Sequence, residues 1–100
     1  MTSSVSPRLT REDYDAFKIL LRDDHDFPHT FEEWQTATLR SDAQRVHAGH
    51  NIQHVPIAPR EFEAYCHSCG REPTAAMLIA FAVVKAARAE TSASHPPSGA

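Results

Sequence analysis

The segment from Ala75 to Ala87 constrains the fold most, because Lys85 is its only charged residue. Its apolar side chains cover most of a helical wheel, and a helix that is apolar all round has to be enclosed on every side. The chain has 100 residues, of which roughly 80 are expected to fold, and such a small domain offers few partners to enclose a helix. We therefore expect a homodimer in which a second copy of the chain covers this segment.

Local signals predict four helices and one strand. Thr10 and Thr30 have the side chains and the following acidic residues of helix N-caps, so they start the first and second helices. The third helix is expected at Pro59–Cys69 and the fourth over residues 74–89. Residues 52–57 alternate in polarity, which is typical of a strand. We predict a mainly α fold with four helices and one short strand between helices 2 and 3, paired with the same strand of a second copy because a lone strand is unstable.

Composition divides the chain into one domain and two tails. Residues 1–8 and 91–100 are rich in Ser and Pro and contain few side chains that a core could bury. Such segments are typical of disordered tails. We therefore predict a single helical domain over residues 9–90, with a disordered tail on each side.

Charge and hydropathy exclude several classes of protein. The formal net charge is −3, which argues against a protein that coats nucleic acid through bulk positive charge. The longest apolar run covers residues 75–84, whereas a membrane-spanning helix needs about 20 residues. We also find no secretory signal and no nucleophile–base motif. We expect a cytoplasmic protein that is not an enzyme and does not associate with membranes.

The apolar residues of the strand and the last helix are the predicted dimer interface. Val55 and Ile57 alternate with polar neighbours on the strand, and the fourth helix contributes its larger apolar side chains. The predicted interface residues are Val55, Ile57, Leu78, Phe81 and Val84. On the second helix, the residues expected to face the core are Phe31, Trp34, Thr38, Leu39 and Val46.

The order of elements from Val55 to Phe81 resembles the ribbon-helix-helix family. A strand is followed by Pro59, a helix, Gly70 and a very apolar helix. The resemblance implies that strands from two chains pair antiparallel and that the last helix is buried at the two-fold axis. It also implies contacts between the strand region and DNA, for which Gln53, His54 and Arg60 are the candidate residues.

A second pattern suggests a metal site. The chain contains seven histidines, and Cys66 and Cys69 have the spacing of one half of a zinc-binding turn. Structural zinc takes four ligands, and the other two could come from His47, His50 and His54, of which His50 and His54 are the predicted pair. Alternatively, the two cysteines are small hydrophobic residues on a buried helical stripe and no cofactor is bound.

These observations leave three hypotheses for the function. The first is a small homodimeric module that binds another protein and has no catalytic activity. The second is a DNA-binding regulator or antitoxin of the ribbon-helix-helix type. The third is a module stabilised by zinc.

Overall fold

The computed structural model describes the backbone of residues 2–94 and the side chains of residues 3–89. It confirms a mainly helical fold with four helices, but it contains two strands rather than one. The elements are β1 (Thr2–Arg8), α1 (Arg11–Leu20), α2 (Phe31–His47), β2 (His50–Pro56), α3 (Pro59–Cys69) and α4 (Ala75–Ser94).

The first strand lies in residues that the sequence assigns to a disordered tail, and the structure corrects this assignment. β1 pairs parallel with β2, so that Val5 lies opposite Gln53 and Arg8 opposite Pro56. Ser6 is buried in the interior, where its small side chain needs little space. Serine at alternate positions is therefore compatible with a strand whose inner face lies against a helix.

At the C-terminal end of the chain, α4 continues to Ser94. Residues 95–100 of the predicted C-terminal tail lie outside the described residues.

The two strands are sandwiched between helices. Val55 and Ile57 are buried in the core with Phe62 and Phe81, whereas the side chain of His54 points towards α2. Because side chains alternate along a strand, the core lies on one face of the sheet and α2 on the other. α4 packs against both strands, α3 packs against α4, and α1 packs against α3. One hydrophobic core therefore serves all six elements.

The helix boundaries follow the predicted caps. The hydroxyl oxygens of Thr10 and Thr30 accept hydrogen bonds from the backbone N–H groups of Asp13 and Glu33, each at 3.1 Å. The third helix has the predicted bounds, and Gly70 ends it with a φ of 66°, a left-handed conformation that glycine adopts readily. These ends are set locally, so the sequence was sufficient to place them.

Aromatic side chains connect the N-terminal helices. Tyr14 stacks on Phe27 with ring centroids 5.3 Å apart and meets Phe31 edge-on at 5.7 Å. Its hydroxyl group donates to the carbonyl oxygen of Pro28 at 2.7 Å. Burial, with a smaller effect of Glu33, raises the pKa of Tyr14 to about 12. The tyrosine thus holds the α1–α2 loop against the core through both packing and a hydrogen bond.

The predicted interface residues lie inside a single chain. Val55, Ile57, Leu78 and Phe81 are all buried in the core, and Val84 is half-buried. The four buried residues therefore have little side-chain surface to offer a second copy, whereas Val84 keeps part of its side chain exposed. The exposed side of α4 instead presents Ile79 and Val83, which are about half exposed.

Two neighbouring residues of α1 provide a test of this core. Phe17 is fully buried against Phe62, whereas Ile19 is mostly exposed. We expect Phe17→Ala to lower the free energy of unfolding by about 3–5 kcal/mol because it leaves a cavity. Ile19→Ala should change it by no more than about 0.5 kcal/mol. Urea unfolding followed by circular dichroism measures both, and equal losses would contradict the packing described here.

Candidate interaction surface

The outer edge of β2 is open. The sheet has only two strands in the part of the chain that the structure describes. The N–H of Ile57 donates to the carbonyl oxygen of Arg8 at 3.0 Å, so Ile57 faces β1. Main-chain groups of successive strand residues point to opposite edges, so those of Val55 and Gln53 also face β1. The N–H and C=O groups of Ile52 and His54 consequently point away from the sheet, where no described strand receives them.

Some outward main-chain groups elsewhere on the sheet's edges have partners. On β1, the guanidinium of Arg45 donates to the outward carbonyl oxygen of Val5 at 3.1 Å, and Pro7 has no N–H group to offer. At the end of β2, the ammonium of Lys85 donates to the carbonyl oxygen of Pro56 at 2.6 Å. Proline and covering charged side chains are common protections of sheet edges. The middle of β2 has neither a proline nor a covering charged side chain of this kind on its outward main-chain groups.

An apolar stripe of α2 lies above this open edge. Leu39, Ala43 and Val46 are spaced four and three residues apart, which places them on one side of the helix. Leu39 and Val46, whose spacing predicted a place in the core, are 54% and 59% exposed. Among residues 2–94, no third strand pairs with β2 to cover the stripe. Together with Ile52, these residues line a groove of about 400 Å³. We call Leu39, Ala43, Val46 and Ile52, with the outward main chain of β2, the edge surface.

A polar cluster beside the edge surface holds the two strands against α2. The carboxylate of Asp42 accepts from the guanidinium of Arg8 at 3.0 Å and lies 3.6 Å from Nε2 of His54. Nε2 of His54 is also 2.7 Å from Nη2 of Arg8. Nearby, the hydroxyl of Ser4 is hydrogen-bonded to Nδ1 of His50 at 3.0 Å. These contacts join both strands and the helix and so fix their relative positions.

The structure does not bring the four predicted zinc ligands together in one chain. His50 and His54 lie on β2 beside α2, whereas Cys66 is buried in the core and Cys69 is exposed at the end of α3. Burial, with a contribution from Cys69, raises the pKa of the Cys66 thiol and thereby disfavours the thiolate that zinc requires. Within residues 2–94, no group of three or more His, Cys, Asp or Glu residues is arranged to hold a metal ion.

The three candidate nucleic-acid residues do not form one cluster. Gln53 and His54 are exposed, but as neighbours on a strand they point to opposite faces of the sheet. His54 is already in contact with Arg8 and Asp42. Arg60 is exposed in the first turn of α3. A DNA contact by these residues would therefore have to use separate parts of the surface.

Comparison with protein-family models, curated proteins and solved structures found no match for this chain. The ribbon-helix-helix resemblance accordingly stays a hypothesis that depends on the order of elements alone. No helix in the described part of the chain is both long and apolar enough to cross a membrane. The edge surface is thus the feature of the fold from which a function can be argued.

The ion pair in the polar cluster is open to a quantitative test. Arg8 and Asp42 are largely buried, whereas Arg11 and Glu32 form an exposed ion pair that serves as a matched control. We expect Asp42→Ala to lower the free energy of unfolding by about 2–3 kcal/mol because it leaves the Arg8 charge without its partner. Double-mutant cycles by urea unfolding should give a coupling energy of about 1–2 kcal/mol for Arg8–Asp42 and less than about 1 kcal/mol for Arg11–Glu32. A larger coupling for the exposed pair would contradict this interpretation.

Proposed function

We propose that the protein is a homodimeric protein-interaction module whose two copies join along the edge surface. In this arrangement, β2 of one copy pairs antiparallel with β2 of the second and forms a four-stranded sheet. The observation that carries the proposal is an open strand edge lying beneath an exposed apolar stripe. The main-chain groups of the edge require an extended strand as their partner, and the stripe requires apolar side chains.

A second copy meets both requirements. A two-fold axis places the same surface on both sides of the contact, so that apolar residues meet apolar residues. With Ile52 on the axis, it pairs with Ile52 of the second copy, and His50 pairs with His54 of the second copy. These are residues whose main-chain groups point outward, and each such pair exchanges two hydrogen bonds. The register therefore uses every outward group in the open stretch.

The apolar stripe adds to the stability of this dimer. Full burial of a valine or leucine side chain contributes about 1.5–3 kcal/mol. Leu39 and Val46 are already about half buried, so each contributes about 1 kcal/mol when the second copy covers it. Two such residues from each copy give about 4 kcal/mol, to which the strand pairing is added. In addition, a sheet of four strands is more stable than one of two.

Contact with another protein is the second part of the proposed function. The exposed side of α4, with Ile79 and Val83 about half exposed, does not belong to the edge surface. It therefore stays uncovered when two copies pair along β2. Two half-exposed aliphatic side chains one turn apart on a helix supply apolar area that contact with a protein can bury.

Two valines of similar exposure test where the copies meet. Val46 lies on the edge surface and Val83 on α4, with exposed fractions of 59% and 50%. By size-exclusion chromatography with light scattering at tens of micromolar, two chains of 11.1 kDa should give a mass of about 22 kDa. We expect Val46→Lys to give the monomer mass because it places two ammonium groups in the contact. Val83→Lys should remain a dimer.

The measured masses test the homodimer and the location of the contact separately. A natural sequence that is monomeric at this concentration would refute the homodimer. A dimer that is lost in Val83→Lys and kept in Val46→Lys would place the contact on α4 and refute the edge surface. Circular dichroism of both variants checks that neither substitution has unfolded the chain.

A further inference from the structure

We infer that a cavity between β1, α2 and α4 binds a small carboxylic acid that carries one aromatic ring. The cavity has a volume of about 240 Å³, and Ser6 and Pro7 line it on the side of the sheet. It lies beside β1, whereas the proposed dimer contact lies along β2. The inference therefore goes beyond the proposed function and does not depend on the dimer.

The volume of the cavity sets the size of the ligand. Pockets that hold drug-sized molecules and cofactors measure about 300–1,000 Å³. This cavity is smaller than such pockets, so it suits a molecule with a single ring and a short chain. A nucleotide is too large for it.

Apolar side chains provide walls for the ring of the ligand. Phe27 and Trp34 line the cavity from the α1–α2 loop and from α2, and Leu78 and Ile79 line it from α4. Tyr14 holds the aromatic wall in place, because its ring lies 5.3 Å from that of Phe27 and 6.3 Å from that of Trp34. A wall that is already fixed loses little conformational entropy when a rigid apolar group binds against it.

A guanidinium group is the binding partner for the carboxylate of the ligand. Arg45 lines the cavity, and one of its N–H groups donates to the carbonyl oxygen of Val5 at 3.1 Å. A guanidinium carries five N–H groups, so others are available to a ligand. Guanidinium groups bind carboxylates through two parallel hydrogen bonds. Ser41, one turn before Arg45 on α2, also lines the cavity and offers a hydroxyl group.

Two acidic residues also line the cavity, but neither cancels the charge of Arg45. The charge of Asp42 is compensated by Arg8, whose guanidinium lies 3.0 Å from its carboxylate. Asp26 is exposed in the loop that leads into α2, near the end of the helix at which Trp34 lies. Arg45 lies about 16 Å further along the helix than Trp34. The ligand is thereby oriented, with its carboxylate towards Arg45 and its ring towards Trp34.

The fluorescence of Trp34 reports on the cavity, because Trp34 is the only tryptophan in the chain. The probes are 3-phenylpropionate and its neutral analogue 3-phenylpropionamide, neither of which absorbs at the red edge of tryptophan absorption. A ligand of this size is expected to bind with a dissociation constant of about 1 mM or lower. We expect a saturable fluorescence change with the acid. The amide should bind about tenfold more weakly, because it lacks charge-assisted hydrogen bonds to Arg45.

Two arginine variants on α2 complete the experiment. Arg45→Met keeps a long side chain but removes the charge, so it should bind the acid about as weakly as the natural sequence binds the amide. Arg40→Met is the matched control, because Arg40 is exposed and does not line the cavity, and this variant should bind the acid as the natural sequence does. Circular dichroism checks that both variants are folded, and the comparison of acid with amide on the natural sequence needs no variant.

The titrations decide between binding and its absence. A lack of any saturable change in fluorescence up to about 10 mM acid overturns the site. Equal affinities for the acid and the amide, or unchanged affinity for the acid in a folded Arg45→Met, overturn the recognition of a carboxylate by Arg45. Each of these results leaves the proposed dimer intact, because the molecular mass in solution tests the dimer separately.

Discussion

The parallel pairing of β1 with β2 is the interaction on which the rest of the structure depends. Parallel strands cannot be joined by a tight turn and need a long crossover connection, which α1 and α2 provide. The contact of Arg8 with Asp42 and the buried position of Ser6 hold the strands beneath α2. This pairing makes the two edges of the sheet unequal. Arg45 and Pro7 protect part of the edge of β1, whereas the middle of β2 lies open beneath an apolar stripe.

The sequence predicted those parts of the fold that depend on neighbouring residues. Caps at Thr10 and Thr30 and the left-handed glycine at position 70 act within one or two helical turns, and the structure confirms the helix ends that they mark. β1 was missed because its signal is not local. Thr2–Arg8 has little apolar character, and it is a strand because it pairs with residues 48 positions further along the chain. Composition alone could not distinguish such a strand from a disordered tail.

The candidate site was predictable in part. The alternation of the second strand correctly identified Val55 and Ile57 as inward-facing, but an apolar residue does not indicate which neighbour covers it. The chain's own helices bury these residues, so no second copy is needed for them. Conversely, Leu39 and Val46 were expected in the core, and they are exposed because the part of the chain that the structure describes supplies no third strand beside β2. The outer side of α4 also carries small alanine side chains, so its exposure to water costs little free energy. To predict which apolar residues are covered, one needs the number of strands in the sheet, and no local sequence pattern gives that number.

The central claim is that a second copy closes the open edge of β2, and amide hydrogen exchange measured at two protein concentrations tests it most directly. The amides of Ile52 and His54 point outward, whereas those of Gln53 and Val55 point towards β1. We predict that exchange of the outward pair slows as the concentration rises from below to above that at which the dimer forms, while the inward pair stays protected throughout. Fast exchange of Ile52 and His54 in a sample shown to be dimeric would contradict the account.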